Sequence, residues 1–229
     1  MTEKEKNMEK SSKKYSVVLF DLDGTVVDSG EGVTNSVAYA LDKFGISVDD
    51  KKQLTKFIGP PLVYSFKAFY NFDENQALEA INYYREYYTS KGIFEGYVYD
   101  GVEKLLSDLK QAGMRLILAT SKPEEFARQI MERAGLDKYF EYMAGASMDE
   151  RTRNTKIEVI DYALKTANID TPSDVVMVGD RFYDIEGAHH FGIDCIAVEY
   201  GYGNREEFER YNADYIAKTP LDVSEILIK

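Results

Sequence analysis

The segment that decides the fold is VVLFDLDGT, residues 17–25, in which four apolar residues are followed by Asp21, Asp23 and Gly24. An apolar run without a polar face predicts a strand that is covered on both sides, as in a parallel sheet. Side chains two residues apart on an extended chain point to the same side, so both carboxylates face one pocket, and Gly24 allows the chain to turn sharply after them. The segment therefore predicts a buried strand that ends in a pair of acids.

Further apolar runs indicate that this strand belongs to a larger sheet. Four segments predict additional strands: 116–119, 142–146, 175–178 and 195–198. Between them, apolar residues recur three or four positions apart, which is typical of amphipathic helices, in 102–109, 123–135 and 157–164. This alternation predicts an α/β fold with a doubly wound, Rossmann-like parallel sheet.

A long segment between the first two strands, residues 30–97, shows helical periodicity and no convincing strand. A connection of this length is too long for a single crossover. We therefore expect residues 30–97 to form an inserted helical cap domain. The α/β core then consists of residues 15–29 and 98–229.

Composition limits the classes of partner. The net charge of −12, without a basic cluster, disfavours nucleic acid and favours a small anion that is bound locally. Residues 1–14 mix lysine and glutamate and predict a mobile tail, and no apolar run is long enough to span a membrane. The single Cys195 lies in an apolar run and predicts a buried, inert thiol. We expect a cytoplasmic protein, either a monomer or a homodimer, with no membrane partner.

Polar residues follow two other predicted strands. Thr120, Ser121 and Lys122 come after the run 116–119, and Asp180 follows the run 175–178, with Asp184 four residues later. Each motif alone has a simpler explanation, such as a turn carboxylate or a hydroxyl that bonds its own backbone. Ligands of open α/β sheets, however, bind beyond the carboxyl ends of the strands. All these groups would gather there, so the sequence predicts one functional site.

Taken in order, these motifs resemble those of the haloacid dehalogenase superfamily, and of its phosphoglycolate phosphatase-like members with a helical cap. Asp21 to Thr25 matches the first motif and Thr120 the second. Lys156 matches the third, although a solvated helix start is its alternative interpretation, and Asp180 with Asp184 matches the fourth. The resemblance implies a phosphatase that forms a phosphorylated aspartate.

The same resemblance implies a role for each matching residue. Asp21 would be the nucleophile and Asp23 the general acid and base. Mg²⁺ would be held by Asp21, Asp180 and the backbone carbonyl of Asp23, with Asp184 as a further ligand or as a hydrogen-bonding partner of the ligands. Thr120 and Lys156 would complete the catalytic set, and Ser121 and Gly24 would help to bind the phosphate of the substrate.

The resemblance implies a class of substrate and leaves more than one compound open. The loop around Phe57–Leu62 is expected to carry specificity, and its residues Gly59, Pro60 and Pro61 offer shape and little charge. A small phosphorylated metabolite such as phosphoglycolate fits the resemblance. A 5′-nucleotide is the main alternative, with the cap tyrosines Tyr83, Tyr84, Tyr87 and Tyr88 available to stack on a base, although such a stripe is more often a core.

Two further functions are compatible with the same sequence. A phosphomutase needs the same aspartates, and a non-catalytic phosphate-binding or partner-binding module can share the fold. Retention of Asp21, Asp23 and Asp180 favours an enzyme. His189 and His190 have no carboxylate partner that is visible in sequence, so a surface or packing role is expected for them.

Overall fold

The computed structural model describes residues 15–149 and 151–228, so the expected mobile tail, residues 1–14, lies outside the described residues. The strands are Val17–Phe20 (β1), Val27–Asp28 (β2), Tyr97–Val98 (β3), Arg115–Pro123 (β4), Tyr142–Ala146 (β5), Val175–Gly179 (β6), Asp194–Val198 (β7) and Tyr215–Ala217 (β8). The α-helices are Gly30–Lys43 (α1), Leu62–Tyr70 (α2), Glu74–Ser90 (α3), Val102–Gln111 (α4), Glu124–Ala134 (α5), Lys156–Thr166 (α6), Phe182–His190 (α7), Arg205–Arg210 (α8) and Pro220–Ile228 (α9). A 3₁₀ helix spans Lys51–Phe57.

The main sheet has six parallel strands in the order β5-β4-β1-β6-β7-β8. Its central strand, β1, is buried along its whole length, which explains why its sequence has no polar face. One apolar layer packs α4, α5 and α9 against the sheet, and a second packs α6, α7 and α8 against the other face. The predicted doubly wound α/β core is confirmed.

A helical insert, residues 30–96, separates β2 from β3 and contains α1, α2 and α3. Its helices enclose a separate aromatic core that includes Phe57, Phe66 and Tyr88. Two short antiparallel strands join the insert to the sheet, with Asp28 paired to Tyr97. Tyr97 therefore lies in a strand, although it was expected in a helical segment. Such a two-residue strand is too short to leave a periodic pattern in sequence.

The described part of the chain contains no helix whose length and apolar character would allow it to cross a membrane.

Candidate active site

Register within the sheet brings the predicted site residues together. Phe20 pairs with Leu118 on one side and with Val178 on the other. The residues that follow these three positions therefore lie side by side toward the carboxyl edge of the sheet. Asp21, whose backbone N–H donates to the Val178 carbonyl at 2.9 Å, lies between the ends of β4 and β6.

Three buried carboxylates form the centre of the site. Asp21, Asp180 and Asp184 each offer an oxygen, and these oxygens lie within 4.8 Å of one another. The Oδ2 atom of Asp180 accepts the Tyr202 backbone N–H at 2.7 Å, and Oδ2 of Asp184 accepts the Arg181 N–H at 3.1 Å. Among the described residues, Oδ1 of Asp180 is buried without a hydrogen-bond donor. The cluster therefore leaves acceptor capacity for a ligand.

Lys156 reaches into this cluster from the first residue of α6. Its Nζ atom lies 2.8 Å from Oδ1 of Asp21 and 2.7 Å from Oδ1 of Asp184, and it donates to the Ala119 carbonyl at 3.0 Å. A capping box formed by Thr155 and Glu158 fixes the start of α6. The alternative of a solvated helix start is wrong, because Lys156 is buried.

The pKa values of the buried carboxylates reflect burial first and the crowding of like charges second. Burial raises the pKa of Asp21 to about 6, even though Lys156 pulls it down. Burial, followed by the nearby Asp184 and Asp21, raises the pKa of Asp180 well above its usual range. For Lys156, burial alone would lower the pKa, but the two carboxylates beside it raise it. One lysine thus leaves the acidic centre short of positive charge.

A divalent cation fits this arrangement. Four carboxylates, Asp21, Asp23, Asp180 and Asp184, face two ammonium groups, Lys122 and Lys156, for a net charge of −4 + 2 = −2 when all are ionised. Buried carboxylate oxygens are the donors that hard divalent cations prefer. The orphaned oxygen of Asp180 meets the same requirement.

Two glycines allow the backbone to pass close to the side chains of Asp180 and Asp184. A Cβ atom on Gly24, whose φ is +81°, would lie 2.1 Å from Oδ2 of Asp180. A Cβ atom on Gly179 would lie 2.2 Å from Cγ of Asp184. The N–H of Gly24 donates to the Val27 carbonyl at 2.8 Å, and Gly24 is not among the residues that line the cleft. Gly24 therefore packs closely against Asp180, and its expected role in substrate binding stays a prediction.

Asp23 has a partner that the sequence did not reveal. Both of its carboxylate oxygens accept hydrogen bonds from Nζ of Lys122, at 2.9 and 2.7 Å. Burial alone would lower the pKa of Lys122, but the adjacent Asp23 raises it above its ordinary value. The available signal was spacing, because Thr120 and Lys122 are two residues apart at the end of a strand.

The second motif lies at the floor of the cleft. Thr120 is buried, and its Oγ1 accepts the Lys122 backbone N–H at 3.2 Å, which leaves the O–H proton available to donate. The hydrogen bond of Thr120 to the nearby backbone therefore does not prevent its hydroxyl from donating to a ligand in the cleft. Ser121 also lines the cleft.

A cleft separates the strand ends from the insert. Its core side includes Asp21, Asp23, Thr120, Ser121 and Lys122, and its insert side includes Phe57, Ile58, Gly59, Pro60, Pro61, Leu62, Tyr84, Arg85 and Tyr88. The loop that was expected to carry specificity therefore faces the acids. The expectation of little charge concerned this loop alone. Elsewhere on the insert side the cleft has Arg85, which donates to the Met148 carbonyl at 2.8 Å.

The four cap tyrosines divide into two pairs. Tyr84 and Tyr88 are buried and stacked, with ring centres 5.3 Å apart, and they belong to the core of the insert. Tyr83 and Tyr87 instead bond Glu79 and Glu95 with their hydroxyl groups. The stripe is therefore mainly a core, although Tyr84 and Tyr88 also line the cleft.

A tyrosine near the fourth motif links the acids to Asp28 of β2, just before the insert begins. The Tyr202 backbone N–H holds Asp180, and its hydroxyl donates to Oδ1 of Asp28 at 2.5 Å. Burial opposes ionisation of Asp28, but hydrogen bonds from Tyr202, Gly30 and Tyr97 outweigh it and lower the pKa of Asp28. Sequence reasoning missed Tyr202, because its bond to Asp180 uses the backbone.

The remaining candidates lie outside the cleft. Nε2 of His189 lies 2.9 Å from Oδ2 of Asp214, so a carboxylate partner that sequence did not show is present. That same oxygen accepts the Cys195 backbone N–H at 2.8 Å. Cys195 itself is buried, and burial raises the pKa of its thiol, which agrees with an inert side chain.

Comparison with known proteins supports the same family. The model of the haloacid dehalogenase-like hydrolases matches residues 18–198. A 5′-nucleotidase of Pseudomonas aeruginosa is 41% identical over 204 residues, which cover 89% of this chain and 91% of that protein. The tyrosine-protein kinase PtkA of Mycobacterium tuberculosis is 40% identical over 207 residues, which cover 90% of this chain and 67% of that protein.

More distant relatives and solved structures agree with these matches. A phosphoglycolate phosphatase of Vibrio parahaemolyticus is 26% identical over 220 residues, which cover 92% of this chain and 95% of that protein. The solved structure of a predicted phosphatase from Clostridium acetobutylicum has a TM-score of 0.90 and 48% identity, and covers 92% of this chain and 97% of that one. Together with the acidic site, these similarities identify an enzyme of the phosphatase class. The chain belongs to the haloacid dehalogenase-like hydrolases.

Proposed function

We propose that this chain is a Mg²⁺-dependent phosphatase that hydrolyses a small phosphomonoester through a phosphorylated Asp21. The observation that carries the proposal is the buried group of Asp21, Asp180 and Asp184, with Nζ of Lys156 2.8 Å from Oδ1 of Asp21. A carboxylate held beside a cation at the end of a cleft is suited to attack phosphorus.

Asp21, Asp180 and Asp184 would hold the metal, together with the backbone carbonyl of Asp23. When bound, Mg²⁺ supplies positive charge beside the phosphate oxygens. Lys156, which is buried beside Asp21, and the buried Thr120, which lines the same cleft, would provide further compensation for the charge on the transferred phosphoryl group.

In the first step, a carboxylate oxygen of Asp21 attacks phosphorus, and the bond between phosphorus and the leaving oxygen breaks. Asp23 gives its proton to that oxygen. In the second step, a water molecule attacks the phosphorus of phosphorylated Asp21 while Asp23 takes a proton from the water. The bond between Asp21 and phosphorus then breaks, which restores both aspartates and releases phosphate.

The insert is proposed to act as a cap over a core of residues 15–29 and 98–229. Its specificity loop faces the acids across the cleft, and the Ile58 carbonyl accepts a hydrogen bond from Arg181 of the core at 3.0 Å. A cap in this position would exclude water during the first step and contact the leaving group. The boundary at residue 97 places Tyr97 with the cap, although it pairs with Asp28 of the core.

Two leaving groups are candidates. Phosphoglycolate carries a second anionic group, and Arg85 on the insert side gives the cleft a cation of the appropriate sign. A 5′-nucleotide is the second candidate, because Phe57, Tyr84 and Tyr88 make much of that side aromatic and because the 41% identical relative is a 5′-nucleotidase. The net charge of −12 supports a small metabolite over a polyanionic partner. The free thiol of Cys195 is consistent with the reducing cytoplasm, where we place the enzyme.

Phosphate release tests the proposal. Purified protein is assayed with Mg²⁺ on phosphoglycolate, 5′-nucleotides, sugar phosphates and pyrophosphate, with Asp21→Asn as the inactive variant. Asp149→Asn serves as the matched control, because Asp149 is exposed and caps a surface turn. Metal-dependent release that only Asp21→Asn abolishes is expected, and the preferred compound identifies the leaving group. Absence of release from every compound would favour the mutase or the non-catalytic module.

A further inference from the structure

Lys122 connects three parts of the molecule at the cleft. It lies near the end of β4, its ammonium group holds Asp23 beyond β1, and the same group lies 5.1 Å from the ring centre of Tyr88 on α3 of the insert. Lys122 is only 8% exposed and Tyr88 only 1%. The contact is therefore a buried junction of core, insert and acid.

The ion pair of Lys122 and Asp23 restrains the carboxylate more tightly than charge neutralisation alone requires. Nζ of Lys122 lies within hydrogen-bond distance of both oxygens of Asp23, which limits rotation of the carboxylate. Burial of a lone lysine in a protein is costly, and a buried ion pair often contributes little to stability compared with apolar residues. A purely stabilising role therefore explains this pair poorly.

Tyr88 restrains the ammonium group from the side of the insert. Its ring stacks on Tyr84 and lies 5.4 Å from Phe126 of α5, so it is fixed by packing on both sides. A cation over an aromatic face is attracted most strongly where water is excluded. Tyr88 is thus a contact between the insert and Lys122, which in turn holds Asp23.

We infer that Lys122 is a positioning residue that orients the Asp23 carboxylate toward the leaving oxygen, and that Tyr88 makes this orientation depend on the insert. The inference rests on the proposed function, in which Asp23 transfers the proton. It adds a residue that acts through Asp23 and does not itself touch the reacting phosphorus.

Substrates whose leaving groups differ in basicity distinguish a residue that positions Asp23 from one that only stabilises the fold. Departure of an alkoxide requires a proton from Asp23, whereas p-nitrophenolate leaves readily without one. Loss of Lys122 should therefore slow the phosphorylation of Asp21 by glycerol 2-phosphate far more than by p-nitrophenyl phosphate. A residue that merely stabilises the fold would slow both reactions by the same factor.

The experiment measures single-turnover release of glycerol and of p-nitrophenol with enzyme in excess, so that only the first step is observed. The variants are Lys122→Met, which keeps the apolar stem, Lys122→Gln as a second neutral variant, and Lys122→Arg, which restores the charge. Tyr88→Leu removes the ring. Lys56→Met is the matched control, because Lys56 also lies over an aromatic ring, 4.6 Å from the centre of Phe69, but is exposed.

Lys122→Met and Lys122→Gln are expected to slow glycerol release about 10²–10⁴-fold, the usual contribution of general acid catalysis, and p-nitrophenol release less than about 10-fold. Lys122→Arg should recover most of the glycerol rate. Tyr88→Leu should change the ratio of the two rates in the same direction, and Lys56→Met should leave it unchanged.

Equal slowing of both substrates in the neutral variants would overturn the inference while leaving the proposed phosphatase intact. If Lys122→Met does not fold, the ratio in Lys122→Gln decides in the same way. Failure of the unmodified protein to release either leaving group would instead contradict the proposed function, and the inference with it.

Discussion

Gly24→Ala probes the close contact between the first and fourth motifs. The new Cβ atom would lie 2.1 Å from Oδ2 and 2.4 Å from Cγ of Asp180, which is far inside contact distance. Asp180 is fully buried, and its Oδ2 is held by the Tyr202 backbone N–H at 2.7 Å. A Cβ atom on Gly201 would lie 2.4 Å from Cβ of Asp180, so the acid is packed closely on that side as well. Asp180 therefore has little room to retreat.

The expected magnitude combines two effects. A residue with a Cβ atom at φ +81° costs roughly 1–2 kcal/mol, and the overpacking adds about 1–3 kcal/mol. Gly24→Ala should therefore lower the free energy of unfolding by about 2–5 kcal/mol. Displacement of Asp180 should also raise the half-saturating Mg²⁺ concentration about 10–100-fold, the usual effect of disturbing the surroundings of a metal site.

Gly113→Ala is the matched control for the backbone term. Gly113 has a φ of +78°, and a Cβ atom there meets nothing within 4 Å, so this variant should lose only about 1–2 kcal/mol. Urea unfolding in the presence of a chelator gives both free energies, and Mg²⁺ titration of phosphate release gives the metal dependence. Equal losses of stability, with unchanged Mg²⁺ dependence in Gly24→Ala, would refute the reasoning.

Three further predictions concern the same site. Lys156→Met should abolish phosphate release and lower the free energy of unfolding by about 3–5 kcal/mol, because Asp21 and Asp184 lose their buried cation; near-normal stability in urea unfolding would contradict this. Mg²⁺ at 100 times its dissociation constant should stabilise the protein by about 2.7 kcal/mol, seen as a higher melting temperature than in Na⁺ at equal ionic strength; an unchanged melting temperature counts against a metal site. Tyr202→Phe should lower the free energy of unfolding by about 1.5–3 kcal/mol, because the hydrogen bond to Asp28 is lost. Urea unfolding measures this loss, and a value below about 0.5 kcal/mol would show that the bond is unimportant.

The strands that are buried on both faces could be predicted, because such strands have a distinctive sequence. β1 and β6 are covered on both faces, so their residues are uniformly apolar and visible without a structure. β8, Tyr215–Ala217, was missed, because it is three residues long and only partly buried. A strand of that kind leaves neither an apolar run nor a clear alternation.

The sequence indicated which motif residues would lie close together, but it did not indicate partners that are defined by packing contacts. Asp21, Thr120, Lys156 and Asp180 stand at strand or helix ends, where sequence position alone indicates a common edge of the sheet. The pairing of Lys122 with Asp23 joins residues 99 positions apart. Such contacts depend on how the elements pack, and the sequence signal for Lys122 was limited to its two-residue spacing from Thr120 near the end of a strand.

The central claim, a phosphorylated Asp21, is tested most directly by trapping. The protein is quenched in acid during steady-state turnover of p-nitrophenyl phosphate with Mg²⁺, reduced with borohydride, and digested for mass spectrometry. Asp23→Asn, which should retain the first step and lose the second, is expected to accumulate the intermediate. The account predicts reduction at residue 21 alone, with none in Asp21→Asn. Modification at another residue, or none in Asp23→Asn while p-nitrophenol is released, would contradict it.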